Sequence, residues 1–268
     1  MTYDIEWVEH DGLRIKCAVQ RAGVGLPWIV FANSVLTDFS IWEAQADALA
    51  GRYNVLRYDQ RGHGETSVPD GACTFEQLGG DLLALLDHFS IPSATLVGLS
   101  MGVPTVLDVL RNAPERVNSL VLCDGQSATA PGGRDLWQSR IDMARDKGMA
   151  VIAADMAERW FSAQFRSEGK HVKALEVAQR VPLEGYAACV GALQNYDYRS
   201  VLAQISVPTL IMVGENDGNM PVSMKVLCDG IDGARFEVIA DAGHVPCYEQ
   251  PLAFNEILLD FLSSIPRA

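Results

Sequence analysis

The sequence predicts an α/β fold: a mostly parallel eight-stranded sheet with helices on both faces and a helical lid inserted over residues 126–200. Three observations predict it. Short apolar runs alternate with stretches of helical spacing, the pattern of a parallel sheet covered on both sides. A Gly-x-Ser-x-Gly run, Gly98 to Gly102, falls where an apolar strand gives way to a helix. The alternation stops after Asp124-Gly125, and nothing strand-like returns until about residue 208. Both parts read as one domain spanning 1–268, since no repeat or low-complexity linker divides them.

In chain order, residues 6–10 and 13–19 alternate around Asp11-Gly12, a strong hairpin signal and an antiparallel edge for the sheet. Residues 27–32 form an apolar strand, followed by the loop Asn33 to Asp38. A helix is expected over 41–50, a strand over 53–58, and then a polar, glycine-rich turn from Asp59 to Gly64. Leu78, Leu82, Leu85, Leu86 and Phe89 make one stripe of a helix over 75–89. A strand at 94–97 leads through the Gly-x-Ser-x-Gly turn into a helix over 103–111, and 117–123 is the next strand. After the helical block come a strand at 208–213, a helix near 222–229, a strand at 235–239 and a closing helix over 252–262.

Composition excludes several classes of function. The chain has 268 residues, 49% of them hydrophobic, with a net charge of −13. That charge argues against nucleic acid or an anionic membrane as a partner. No apolar run reaches the roughly 18 residues of a membrane span. Acids appear early at the N-terminus with no apolar core of a secretory signal, so a cytoplasmic location is expected. The six cysteines are far apart in sequence with no Cys-x-x-Cys pair. They read as small buried hydrophobes of a reducing compartment.

Tight strand-to-helix turns of the Gly-x-Ser-x-Gly kind hold a serine in a strained conformation with its hydroxyl exposed at the end of a central strand. Such a hydroxyl is a poor nucleophile until a base takes its proton, and the base needs a carboxylate to fix its tautomer. Of the five histidines, His244 follows the last strand on a loop with a small residue before it, and it is the expected base. His10, His88 and His171 read as surface or packing residues, and His63 as a structural hydrogen-bonding group in its turn. Two acids suit the order Ser…Asp…His: Asp217, just after the 208–213 strand, and Asp124, just after the 117–123 strand. Asp217 is favoured because its loop is the usual site of the acid in this architecture. Asp241 lies too close to the histidine to turn and face it. The developing oxyanion needs two fixed donors. One is the N–H of Met101, directly after Ser100, and the other is expected from the N–H of Val35. No metal cluster, phosphate loop or dinucleotide fingerprint stands out, so the chemistry is expected to need no cofactor and no metal.

These motifs together resemble the α/β-hydrolase superfamily and, within it, the 3-oxoadipate enol-lactonases of the β-ketoadipate pathway. The likeness runs along nearly the whole chain. It includes Asn33-Ser34 with Thr37-Asp38, the run Leu56 to Gly64, the Ser100 turn, Ala113 to Arg116 and Leu120 to Cys123. In the helical block it extends to Trp137 with Arg140-Ile141, Glu158 to Phe161 and Gly185 to Cys189. The resemblance implies Ser100, Asp217 and His244 as a catalytic triad, with Asn33, Ser34 and lid side chains shaping a pocket for an acid. Leu36 and Val103 stand where glycines are usual, and both are expected to line the catalytic pocket and narrow it. The Asp217 to Pro221 run also departs from the usual pattern. Trp137 is the expected pocket wall, while Trp160 and Phe161 are expected to pack the lid's own core. Arg140 lies three residues after Trp137, so the two share a helix face, and its planar fork suits a carboxylate. A small-molecule lactone or ester is the expected partner, and a homo-oligomer stays open. A different chemistry on the same fold, such as carbon–carbon bond hydrolysis, perhydrolysis or a lyase reaction, is the alternative. A non-catalytic ligand-binding protein is the remaining one.

Overall fold

Strands β1 (Asp4–His10) and β2 (Leu13–Gln20) pair antiparallel across the Asp11-Gly12 turn, where both residues adopt positive φ. In the computed structural model, which describes residues 3–265, they open an eight-stranded sheet. The other strands are β3 (Trp28–Ala32), β4 (Asn54–Tyr58), β5 (Ala94–Leu99), β6 (Val117–Cys123), β7 (Thr209–Gly214) and β8 (Arg235–Ile239). Their spatial order is β1-β2-β4-β3-β5-β6-β7-β8, antiparallel as far as the β2–β4 pair and parallel from there on.

Every residue of β4, β5 and β7 is buried, so both side-chain rows of these strands lie under cover. Helices provide it: α1 (Glu43–Leu49), preceded by a 3₁₀ turn at Phe39–Trp42, then α2 (Phe75–His88) and α3 (Gly102–Asn112). The helix predicted over 41–50 is thus split, because the Asp38 carboxylate accepts from the Ser40 N–H and tightens the first turn. Thr74 and Gln77 close a capping box at the start of α2.

Between β6 and β7 lie α4 (Gly133–Lys147), α5 (Met149–Trp160), α6 (Ala163–Ser167), α7 (Val172–Arg180), α8 (Leu183–Leu193) and α9 (Arg199–Leu202). An antiparallel bridge, Ala128 to Asp197, joins the two ends of this block, which sequence patterning reads as strand-free. The block is fixed to the sheet's loops by backbone contacts. The Cys73 N–H donates to the Ala188 carbonyl at 3.0 Å, and the His244 N–H to the Trp160 carbonyl at 3.0 Å. The chain closes with α10 (Met220–Asp229), the short α11 (Pro246–Glu249) and α12 (Pro251–Ser264), which packs on α1.

β3 has β4 on one side and β5 on the other, so the winding of the sheet reverses between β3 and β5. Ligands of open α/β sheets bind at the carboxyl ends of the strands beside such a reversal. The loop bearing Val35 and the turn bearing Ser100 leave those two ends. All six cysteines are buried free thiols. Among the described residues, no helix is long and apolar enough to cross a membrane.

Candidate active site

The chain cannot pass from β5 to α3 without crowding. A Cβ on Gly98 would strike the Gly102 carbonyl, and one on Gly102 would strike the Ala32 carbonyl of β3. With both positions bare, the turn closes and Ser100 sits at φ 54°, a left-handed conformation unusual for a residue with a side chain. The Ser100 N–H donates to the Cys123 carbonyl at 2.8 Å and the Thr105 hydroxyl to the Met101 carbonyl at 3.0 Å, which hold the turn from both sides.

Three of the residues singled out from the sequence meet in a hydrogen-bonded line. Ser100 Oγ lies 3.0 Å from His244 Nε2, and His244 Nδ1 lies 2.7 Å from Asp217 Oδ2. The second contact fixes the neutral imidazole with its proton on Nδ1, leaving Nε2 free to accept from the serine. The loop after β8 is held for this purpose by a buried carboxylate. Glu249 accepts from the Gly243 N–H at 2.8 Å and from the Ser162 N–H at 2.9 Å, joining the His244 loop to the helical block. Asp124 does not contact the imidazole through a hydrogen bond. Its Oδ1 accepts from the Gly214 N–H at 2.9 Å, and burial drives its carboxyl well above the usual range, with the Asp217 charge adding to the shift.

A cavity of about 280 Å³ opens over Ser100. Val35 and Leu36 from the β3 loop line it, as do Trp137 and Arg140 from α4, Trp160 from α5 and Tyr186 from α8. Among the described residues, neither the Val35 nor the Met101 N–H donates to a protein acceptor. Both stand on loops that flank Ser100, where two donors could meet a developing oxyanion. The Arg140 guanidinium lies 5.0 Å from the centre of the Trp137 ring, as the shared helix face predicts. Among the described residues Arg140 makes no ion pair, whereas the neighbouring Arg159 pairs with Asp155 at 3.4 Å. Burial pushes the Tyr186 phenol up to about 12, so it faces the cavity as a neutral hydroxyl.

Several expectations need correction. Asn33 and Ser34 do not reach the cavity. The Asn33 amide donates to the Tyr58 carbonyl at 2.7 Å and accepts from Trp42 Nε1 at 2.9 Å, and both residues are fully buried. Val103 does not line the cavity either, because it points into the core against Gly125. Leu36 does line it, at φ 64°. Trp160 belongs to the site rather than to the core of the helical block alone: its ring centre lies 5.5 Å from that of His244. Phe161 packs as expected, stacking on Phe165 at 5.3 Å. His63 is structural, with Nδ1 3.2 Å from the Arg61 carbonyl. Sequence reasoning missed Glu249, because nothing in the sequence marks which acid after the histidine loop is buried against Gly243 and Ser162.

Comparison with known proteins bears on this geometry. The model of the alpha/beta hydrolase fold family matches residues 27–251. The chain belongs to the α/β-hydrolase family. Within it, the chain is 37% identical to 3-oxoadipate enol-lactonase 2 of Acinetobacter baylyi over 232 residues, 85% of this chain and 86% of that one. It is 36% identical to 3-oxoadipate enol-lactonase 1 of the same organism, over 89% of this chain and 90% of the relative. Among solved structures it is similar to the enol-lactonase from Burkholderia xenovorans LB400, with a TM-score of 0.90 and 34% identity over 97% of this chain and all of that one. This α/β-hydrolase is therefore a hydrolase-fold enzyme close to enol-lactonases.

Proposed function

We propose that the protein is a cofactor-free serine hydrolase of a small lactone or carboxylic ester, and that its substrate is an enol-lactone carrying a free carboxylate, of the 3-oxoadipate type. The observation that carries the reading is the Ser100–His244–Asp217 line at the floor of a cavity that also holds Arg140. The identity to enol-lactonases supports the substrate class.

In this reading Ser100 Oγ attacks the ring carbonyl while His244 Nε2 takes its proton. Asp217 stabilises the imidazolium that results. The N–H groups of Val35 and Met101 receive the oxyanion, each worth about 3–4 kcal/mol at the barrier. Collapse of the tetrahedral adduct opens the ring, and His244 returns the proton to the leaving enol oxygen. Water, activated by the same histidine, then releases the acid and regenerates Ser100. The helical block between β6 and β7 acts as a lid, with Trp137 as a wall and Trp160 shielding the imidazole from water. Buried free thiols fit a reducing, cytoplasmic setting.

The test is turnover. The wild-type enzyme should open a carboxylate-bearing enol-lactone, show a burst on p-nitrophenyl acetate and be labelled at Ser100 by a fluorophosphonate. Ser100→Ala and His244→Ala should each lower kcat by at least about a thousandfold with the fold intact. Turnover of a 1,3-diketone with no ester or lactone activity would replace ester chemistry by carbon–carbon bond hydrolysis.

A further inference from the structure

Asp124 stands at the end of β6 with its backbone at φ 42°, fully buried beside the acid of the proposed triad. Its two oxygens have different surroundings. Oδ1 accepts from the Gly214 N–H at 2.9 Å, while Oδ2 is buried with no donor. Its carboxyl, that of Asp217 and the His244 imidazole each offer an atom within 4.8 Å of one another. Two ionised carboxylates this near would leave the buried Asp124 Oδ2 without a donor and set like charges within 4.8 Å of each other, an arrangement that proteins resolve by keeping one proton on the pair.

The surroundings decide where that proton sits. Asp217 is partly exposed and receives the His244 Nδ1–H at 2.7 Å, so its negative charge is matched by a donor that becomes cationic in the reaction. Asp124 has only one neutral amide as donor. The titratable groups around it are Asp217 after β7, His244 after β8, Cys123 beneath it on β6 and Cys247 on α11. Burial pushes both thiols up, so they stay neutral, and no arginine or lysine acts on Asp124 among the described residues. Burial and the Asp217 charge both raise the Asp124 carboxyl.

We infer that Asp124 is held as the neutral acid and donates its O–H to the Asp217 carboxylate, making it a positioning residue for the proposed triad. The proton stays on Asp124 throughout, and only the hydrogen bond to Asp217 is used. That bond fixes the rotamer of Asp217 and withdraws part of its charge from His244, which sets the basicity of the imidazole. The inference rests on the triad reading given above.

Three measurements test it. Infrared difference spectra of the wild type and Asp124→Asn should contain the C=O stretch of a protonated buried carboxyl, lost in the variant. This arm needs no turnover, so a missing band overturns the proton on Asp124 whatever Ser100→Ala does. In kcat/KM against pH, Asp124→Asn replaces one neutral donor by another, so the acid limb should stay in place. An ionised Asp124 would instead give a limb falling by about a unit or more, since a negative charge beside the imidazole is removed. Asp124→Ala removes the donor: kcat/KM should drop about tenfold below that of Asp124→Asn, and the limb should rise by about half a unit. Equal rates and limbs in the two variants would overturn the positioning role. Should Asp124→Ala fail to fold, the infrared band and the Asp124→Asn limb still decide.

Discussion

At the scale of single residues, the site holds three side chains in left-handed conformations: Leu36 at φ 64°, Ser100 at φ 54° and Asp124 at φ 42°. For Leu36 the backbone strain and the side chain pull in opposite directions. A left-handed residue with a Cβ costs roughly 1–2 kcal/mol, which glycine would relieve. Against that, the isobutyl group is almost fully buried, and truncating a buried leucine costs roughly 2–5 kcal/mol. The packing loss wins. Leu36→Gly should therefore lower stability by about 1–3 kcal/mol in urea unfolding while widening the cavity for bulkier acyl groups. A more stable variant would mean that strain dominates. The Ser100, His244 and Asp217 geometry was legible in the sequence because a motif and two strand-end positions specify it. The places of Trp160 and Asn33 were not, since periodicity says nothing about which distant loop a buried ring or amide will meet.

Among the elements, the strands were legible almost to the residue, because buried parallel strands are short apolar runs between turn signals. The 3₁₀ turn at Phe39–Trp42 and α11 were not, since four residues are too few to show helical spacing. The turn from Asp59 to Thr66 adds something sequence alone does not show: two buried groups with opposed responses to pH. Burial lowers His63 from 6.5 to about 4, so the stability tied to its neutral form is present above pH 6.5 and is lost as pH falls toward 4. Burial raises Asp59 from 3.8 to about 6 despite N–H donors from Glu65 and Phe39, so its contribution is present at low pH and lost as pH rises through 6. Between those limits the two slopes nearly cancel. His63→Asn would leave Asp59 unopposed. From about pH 7 to about pH 4.5 the variant should keep about 2–3 kcal/mol more of its own stability than the wild type keeps of its own, measured by urea unfolding at both values. Parallel losses in both proteins would place the proton uptake elsewhere.

For the whole molecule, alternation predicts a parallel sheet but not the order β2-β4-β3-β5, which depends on pairings between distant segments and puts the reversal under Ser100. Net charge, by contrast, is read directly from the sequence, and its value of −13 opposes the approach of any carboxylate. The counterweight is local: Arg140, free of ion pairs among the described residues, lies over Trp137 in the cavity wall. The two effects differ in range, so salt separates them. At about 0.1 M the screening length is about 10 Å, which removes the distant repulsion while leaving a close guanidinium–carboxylate contact largely intact. For a carboxylate-bearing lactone, kcat/KM should rise about two- to fivefold between about 0.01 M and about 0.1 M salt, and for a neutral ester it should stay flat. Arg140→Gln should weaken the acid substrate by about 1.5–3 kcal/mol, the range for hydrogen bonds to charged groups, at either salt concentration, and spare the neutral ester. Equal losses on both substrates would make Arg140 a structural residue, and no loss on either would remove the carboxylate from the proposed substrate.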